Sequence, residues 1–388
     1  MQIPQLDSLS TNRLSRVFNN TVATYKYYWL ISILNIHMST GATRISIWDI
    51  VISMVANAWY PIHYFRLSFG KSDSMYVAIK TIRELTDLPY DASKKLIEET
   101  LRDQLDKKEI KAALRVFTLN VPFRFLSPWI NTSENKDVVR RSHSFENGAL
   151  YALHKDDIED WIIELNPAWY DYLKQHYSIL LDFAYWNLTL FLQTRNPNVP
   201  NIPNKLIRPE ARKSLNNQRQ FWNTVIKASG PIECIYTGTE LYTGNFDLDH
   251  FIPWSFVTHD LSWNLIPSNP SINSSKSDRI PDLDFYLPKL SCTHHSAIKT
   301  YCSLGKSEKA LEDYISLGYT VREIRDEQGN MVEKETSDLA NYFCEVVTIN
   351  NVSATCISLY STRGLQKGAA VVKTGDGLEF EYSDKILG

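Results

Sequence analysis

The stretch FDLDHFIPWSFVTHDLSWNLIPSNPSINSSKSDRIP, residues 246–281, carries most of the chemical information in this 388-residue chain. FDLDH has the pattern of a short strand that ends at Asp249 and His250, and adjacent strand residues point to opposite faces. FIPWSF then turns the chain, and LSWNLIPS supplies a second strand that can pair back as a hairpin. The loop must therefore be braced if both side chains are to serve one site.

The segment after the hairpin predicts a short helix. NPSINSSKSDR opens with an Asn-Pro boundary and continues with residues that are compatible with a helix. Such a helix can carry Asn273 back toward Asp249, whose carboxylate is a hard oxygen ligand suited to Mg²⁺. The residues alone therefore predict two strands and one helix around a single cation.

The order and spacing of these residues resemble the HNH, or ββα-metal, endonucleases. The likeness lies in D-H-x-x-P-x-S-F, then W-N-L, then x-N-x-x-K-S-D-x-x-P, and covers about residues 232–283. The separations from His250 to Asn264 and from Asn264 to Asn273 are similar to those in the HNH nuclease of RNA-guided CRISPR effectors. An isolated Asp-His pair would carry little information, whereas this ordered set is specific.

The resemblance implies a role for each motif residue. His250 would be the general base that takes a proton from the attacking water. Asp249 and Asn273 would bind one divalent cation, Mg²⁺ or alternatively Mn²⁺, which stabilises developing charge on the phosphate. Asn264 would complete the catalytic set by fixing the loop and orienting His250, without contacting the metal.

Basic residues near the motif are candidates for nucleic-acid contacts. Lys276 and Arg279 follow Asn273 and are candidate phosphate contacts. Before the motif, a basic run that includes Arg212, Lys213 and Arg219 could follow a phosphate backbone, with a solvated helix face as an equal alternative. DNA is favoured over RNA as the substrate by the resemblance alone.

The cysteines and adjacent histidines do not predict a zinc site. Many HNH proteins hold the hairpin with two CxxC pairs around zinc, but here Cys234 stands alone where the first pair would be. Cys292 and Cys302 are isolated, so we do not expect structural zinc. His294 and His295 are neighbours in a predicted helix and would point apart, which favours packing over metal binding.

The composition bounds the class of protein. Hydrophobic residues make up 44% of the chain, charged residues 22%, and the formal net charge is -3, which excludes a polybasic protein. Five cysteines without a CxxC pair, and a start without an apolar signal core, predict a cytoplasmic location. Residues 45–65 approach membrane-spanning length but contain Asp49, Asn57, Pro61 and His63, which favours a buried helix.

Along the chain, the patterns predict an α+β protein. We expect a mainly helical recognition or regulatory domain at 1–195, a proline-rich basic linker and helix at 196–230, the nuclease module at 231–285 and a helical or mixed extension at 286–388.

Four shorter segments carry local predictions. Residues 148–165 could hold a strand before a helix, and residues 337–360 have a helical pattern. Residues 319–335 and 369–383 have hairpin patterns around turns that contain glycine.

The resemblance and the domain pattern together predict a metal-dependent HNH endonuclease that hydrolyses DNA, serving as a bacterial phage-defence or restriction effector. One alternative is a stand-alone restriction-like or mobile-element nuclease, which would cut specific sites without a partner. The other is a catalytically inactive nucleic-acid-binding scaffold, whose binding would persist without cutting. A regulatory protein partner or a homodimer stays open in each case.

Overall fold

A computed structural model describes residues 2–155, 160–208, 214–306 and 308–315, and beyond them the backbone of strands between 321 and 380. The chain separates into two compact units. The first comprises Met1–Pro197 with Asn201–Arg208, and the second comprises Asn198–Pro200 with Pro209–Gly388. The change of unit falls within a proline-rich stretch, where proline disfavours a continuous helix.

The first unit is mainly helical. Its helices are α1 Thr11–Leu14, α2 Tyr25–Thr40, α3 Ile47–His63, α4 Ser74–Thr86, α5 Lys94–Asp103, α6 Lys108–Arg115, α7 Val121–Arg124, α8 Asn135–Ser142, α9 Tyr170–Gln175, α10 Tyr177–Arg195 and α11 Ile202–Lys205.

Helices α2 and α3 supply much of the core of this unit, since both are long apolar segments, and half of the residues of α2 and most of those of α3 are buried. Trp29 of α2 and Trp59 of α3 are fully buried. Gly41 ends α2 in the left-handed conformation, and the Ser46 hydroxyl accepts a hydrogen bond from the Trp48 amide to begin α3. Within the described part of the chain, no helix has both the length and the apolar character to cross a membrane.

A small antiparallel sheet completes the first unit. It contains β1 Arg44–Ser46, β2 Tyr151–Lys155 and β3 Trp161–Leu165, in the order β1-β3-β2. The prediction of a helix at the end of residues 148–165 is therefore wrong. Strand β3 pairs with a strand on each side and buries Ile163 and Leu165 at the two-residue period of a sheet.

The second unit surrounds two short strand pairs with helices. Strands β4 Ile232–Glu233 and β5 Glu240–Leu241 form one antiparallel pair, and β6 Asp247–His250 and β7 Leu265–Ser268 form the other. The helices are α12 Asn216–Ser229, α13 Trp254–Val257, α14 Pro270–Lys276, α15 Leu283–Ser303 and α16 Glu312–Ile315.

The core of the second unit fixes strand β7. Trp222 of α12, Leu265 and Ile266 of β7 and Ile298 of α15 are buried in one apolar cluster. The indole nitrogen of Trp222 also donates to the Leu265 carbonyl at 3.2 Å. The β6–β7 pair is therefore held by packing between α12 and α15.

Where the structure describes the C-terminal extension, the strands form three antiparallel pairs. They are β8 Val321–Arg325 with β9 Met331–Thr336, β10 Glu345–Asn350 with β11 Ser353–Ile357, and β12 Val371–Thr374 with β13 Gly377–Phe380.

These strand pairs can be compared with three of the predictions made from the sequence. The hairpins expected at 319–335 and 369–383 are confirmed by the first and third pairs. The helix expected at 337–360 is wrong where the structure describes it, because β-branched residues such as Val346, Thr348 and Ile349 favour a strand. The α+β class is confirmed.

Candidate active site

Strand β6 of the second unit ends with Asp249 and His250. In the antiparallel pair, Asp249 lies opposite Ile266 and His250 lies opposite Leu265. Because adjacent strand residues point to opposite faces, the two side chains meet different surroundings. The structure thus keeps the alternation that the sequence predicts, and the contacts around each residue differ.

Asp249 lies in a buried polar cluster with a tyrosine and a lysine. The Tyr236 hydroxyl donates to Oδ2 of Asp249 at 2.6 Å, and the Lys276 ammonium lies 3.1 Å from Oδ1. Lys276 also donates to the His250 carbonyl at 2.6 Å. The ammonium therefore links helix α14 to both motif residues of β6.

Burial disfavours the charged forms of both Asp249 and Lys276. It raises the pKa of Asp249, although Lys276 and Tyr236 act in the opposite direction. Burial also lowers the pKa of Lys276, while Asp249 opposes that change. The ion pair therefore forms where water solvates neither partner well, so each charge depends on the other.

Asn264 closes the loop between the two strands. Its Oδ1 accepts from the Ile252 amide and its Nδ2 donates to the Ile252 carbonyl, each at 2.8 Å. The Asn264 carbonyl accepts from the Phe251 amide at 2.9 Å. Asn264 is fully buried, and both ends of its side-chain amide are used by the loop backbone. This geometry supports a positioning role for Asn264.

His250 pairs with Asp260, a residue that the sequence reasoning missed. Nε2 of His250 lies 2.9 Å from Oδ1 of Asp260. Because a carboxylate can only accept, Nε2 carries a proton, and in the neutral imidazole Nδ1 is then the nitrogen with the free lone pair. The Gln218 side chain of α12 donates to the Asp260 carbonyl at 3.1 Å, which helps to hold the loop. The available signal was that Asp260 is the single acidic residue between His250 and Asn264.

Helix α14 presents Asn273 on the same side as Lys276. Asn269 caps this helix, since its side chain accepts from the Ser271 amide, and Pro270 occupies the first turn. Asn273 is therefore inside the helix, three residues before Lys276 and on the same helical face. Since Lys276 contacts Asp249, that face points toward strand β6, and Asn273 is only partly buried.

The candidate nucleic-acid contacts lie in different settings. Lys276 is occupied by Asp249, and its side chain is 7% exposed. Arg279 is exposed beyond the end of α14. Arg219 donates to the Phe246 carbonyl at 2.7 Å and stacks on the Phe246 ring. Arg212 and Lys213 lie outside the described residues.

The residues considered above as possible zinc ligands lie in separate surroundings. Cys234 is buried and its sulfur accepts from the Asn269 amide at 3.5 Å, while Cys292 is exposed and Cys302 buried. His294 is fully buried, and its Nδ1 lies 2.9 Å from the Tyr314 hydroxyl. Burial lowers the pKa of His294 to about 3, which gives a neutral packing residue.

The donor set around β6 fits a hard divalent cation. Mg²⁺ uses one or two protein oxygens and retains several waters, and the Asp249 carboxylate and the Asn273 amide oxygen are oxygen donors of this kind. Within the described residues, no three His, Cys, Asp or Glu side chains form a metal-binding group. The candidate ligands here are a carboxylate and an asparagine amide, and these hard oxygen donors disfavour softer metals.

Comparison with known proteins bears on this region alone. A protein-family model for HNH endonucleases matches residues 234–282, which contain both strands of the β6–β7 pair and helix α14. No curated protein and no solved structure matched the chain. Residues 234–282 thus carry an HNH module, which confirms the family assigned to this segment. The likeness to CRISPR effector nucleases stays a prediction.

Proposed function

We propose that this protein is a metal-dependent HNH endonuclease that hydrolyses DNA phosphodiester bonds. The observation that carries the proposal is the ββα arrangement of Asp249, His250, Asn264 and Asn273 within the segment that matches HNH endonucleases. The family match supports a nuclease that acts on nucleic acid. DNA as the substrate, Mg²⁺ or Mn²⁺ as the metal ion and a role in defence are further parts of the proposal.

In this proposal His250 accepts the proton of the attacking water at Nδ1. The contact between Nε2 and Asp260 fixes the imidazole ring and favours the tautomer with a free Nδ1. It also stabilises the imidazolium that forms when the proton is taken up. Asp260 is a positioning residue, because it acts through His250.

Asp249 and Asn273 would hold the divalent cation in this proposal. A bound cation would supply charge stabilisation to the phosphate and to the leaving oxygen. Tyr236 and Lys276 fix the position of the Asp249 carboxylate. Arg279 is exposed at the end of α14 and is the better placed of the two candidate phosphate contacts there.

The biological role that we propose is a cytoplasmic phage-defence or restriction effector. A nuclease module joined to a separate helical unit suits an enzyme whose cutting depends on a signal, a partner protein or a second copy of the chain. This part of the proposal rests on architecture. Constitutive site-specific cutting by the purified chain would favour the stand-alone nuclease in its place.

A plasmid-cleavage assay tests the proposed reaction. Native protein, His250→Ala and His176→Ala are incubated with supercoiled plasmid in Mg²⁺, in Mn²⁺ and in chelator. We expect metal-dependent nicking by the native chain and by the His176→Ala control, whose changed residue belongs to the first unit. The His250→Ala variant should not nick.

Two results would oppose the proposal. Nicking that continues in chelator would contradict metal dependence. Plasmid binding by all three proteins without cutting, even with a cell extract added to supply a partner, would favour the inactive scaffold.

A further inference from the structure

A cleft in the first unit has two tryptophans in its wall. Its volume is about 570 Å³, and it lies between α6, the first turn of α3 and the start of β3. Trp48 and Trp161 are only partly buried there, whereas Trp29 and Trp59 of the same unit are completely buried. Phe123 meets Trp161 edge to face at 5.7 Å and supports its ring. The Lys155 ammonium lies 5.8 Å from the centre of the Trp161 ring, so the cleft combines partly exposed indole rings with nearby positive charge.

The facing helix contributes positive charge. Lys108, Lys111 and Arg115 line the cleft, are exposed and recur at a spacing that places them on one face of α6. The Lys111 ammonium lies 5.1 Å from the centre of the Trp48 ring and 3.7 Å from Asp160. Within the described residues, the side chains of Lys108 and Arg115 have no ion-pair or hydrogen-bond partner.

The lining narrows the chemical class of ligand. The volume of the cleft lies within the range of small-molecule sites. An apolar ligand would leave Lys108 and Arg115 unused, and an inorganic anion would leave the indole rings unused. A nucleotide uses both, because its base stacks on aromatic rings and its phosphates pair with lysine and arginine.

We propose that this cleft binds a nucleotide unit, with the base against Trp48 or Trp161 and the phosphates on Lys108, Lys111 and Arg115. The nucleotide could be free in solution or part of a single strand, since the recognised chemistry is the same. The site belongs entirely to the first unit, so its occupancy is independent of the chemistry proposed at His250.

The test uses the full chain in chelator and low salt. Binding of a fluorescent ATP analogue is followed by anisotropy, with unlabelled ATP, GTP and a twelve-nucleotide single strand as competitors. The cleft variants are Trp48→Ala and the double variant Lys108→Glu with Arg115→Glu. Matched controls are Trp186→Ala, an exposed tryptophan of α10, and Lys136→Glu, an exposed lysine of α8.

We expect saturable binding that weakens about tenfold or more in each cleft variant and changes less than twofold in the controls. Displacement by the single strand would assign the site to a nucleic-acid strand. Displacement by ATP or GTP alone would assign it to a free nucleotide. The proposal is overturned if no probe binds saturably, or if folded cleft variants bind as tightly as the native chain. His250→Ala should bind as the native chain does, which separates this result from failure of the nuclease proposal.

Discussion

The two faces of strand β6 hold their candidate functional groups in different ways. On one face, Asp249 is enclosed by Tyr236 and Lys276, and its side chain is only 4% exposed. On the other face, the His250 side chain is 13% exposed and contacts Asp260, which is 20% exposed. A fixed buried carboxylate suits a cation ligand, whereas a base must meet water. The comparison teaches that one short strand can meet both needs, because its adjacent side chains enter different surroundings.

Lys276→Ala should remove the ion pair with Asp249 and have the largest effect on stability. Removing one partner of a buried ion pair leaves a charge that is not compensated, so we expect a loss of about 3 kcal/mol in the free energy of unfolding. Denaturant unfolding measures it. Added Mg²⁺ should recover part of the loss, because a cation near Asp249 would replace the ammonium. The exposed lysine of α12 provides the control Lys227→Ala, which should change stability by less than about 0.5 kcal/mol. Equal stability of the two variants would contradict the account.

Asp260→Asn should change the contact of His250 with residue 260 without unfolding the protein. An amide can donate to Nε2 and so hold the other tautomer, which removes the free lone pair from Nδ1. We expect the cleavage rate to fall by about 10²-fold or more, while DNA affinity and the free energy of unfolding stay close to native. Single-turnover cleavage and a binding titration measure the two quantities. A nitrogen NMR spectrum of His250 should show the change of tautomer. An unchanged rate would remove Asp260 from the mechanism.

Asn264→Ala should disturb the loop that joins the two faces. The substitution leaves the amide and carbonyl of the partly buried Ile252 without their present partners, so we expect about 2 kcal/mol of destabilisation. Asn264→Asp is the informative companion, since it retains the acceptor for the Ile252 amide and loses the donor. At neutral pH it should be destabilised at least as much as Asn264→Ala, because its second oxygen places a buried negative charge against the Ile252 carbonyl. Stability equal to the native chain would contradict the loop-closing role of Asn264. Thermal unfolding at neutral pH compares them.

His294 gives a smaller, pH-dependent effect that belongs to neither face. Its pKa is lowered to about 3 by burial, from an ordinary value of 6.5, so the unfolded chain takes up the proton more readily. The contribution of neutral His294 to the free energy of unfolding is therefore complete above pH 6.5 and is lost progressively as the pH falls toward 3. Between pH 7 and 5.5 we expect a loss of about 1 kcal/mol. His294→Gln should remove this part of the pH dependence, and an unchanged slope would contradict the assignment.

The motif was predictable because its geometry depends on local features. The strand alternation at Asp249 and His250, the turn, and the Asn-Pro start of α14 are all encoded within a few residues. The bracing role of Asn264 also followed from the motif, and the loop contacts of its amide support it.

Contacts between distant segments were not predictable in this way. Asp260 reaches His250 because Asn264 closes the loop and Gln218, on another helix, holds its backbone. The burial of Lys276 depends on the packing of α14 against β6. Strand β3 was mistaken for a helix because a short apolar run has no decisive period, and pairing with two neighbouring strands determines its conformation.

The most direct test of the account measures cleavage rates over a range of Mg²⁺ concentrations for native protein, His250→Ala and Asp249→Asn. If the faces supply a base and a cation ligand, His250→Ala should lower the rate by a similar factor at every Mg²⁺ concentration. Asp249→Asn should shift the half-saturating Mg²⁺ concentration upward, because an amide is a weaker ligand than a carboxylate. The account would be contradicted if His250→Ala shifted the metal requirement while Asp249→Asn left it unchanged.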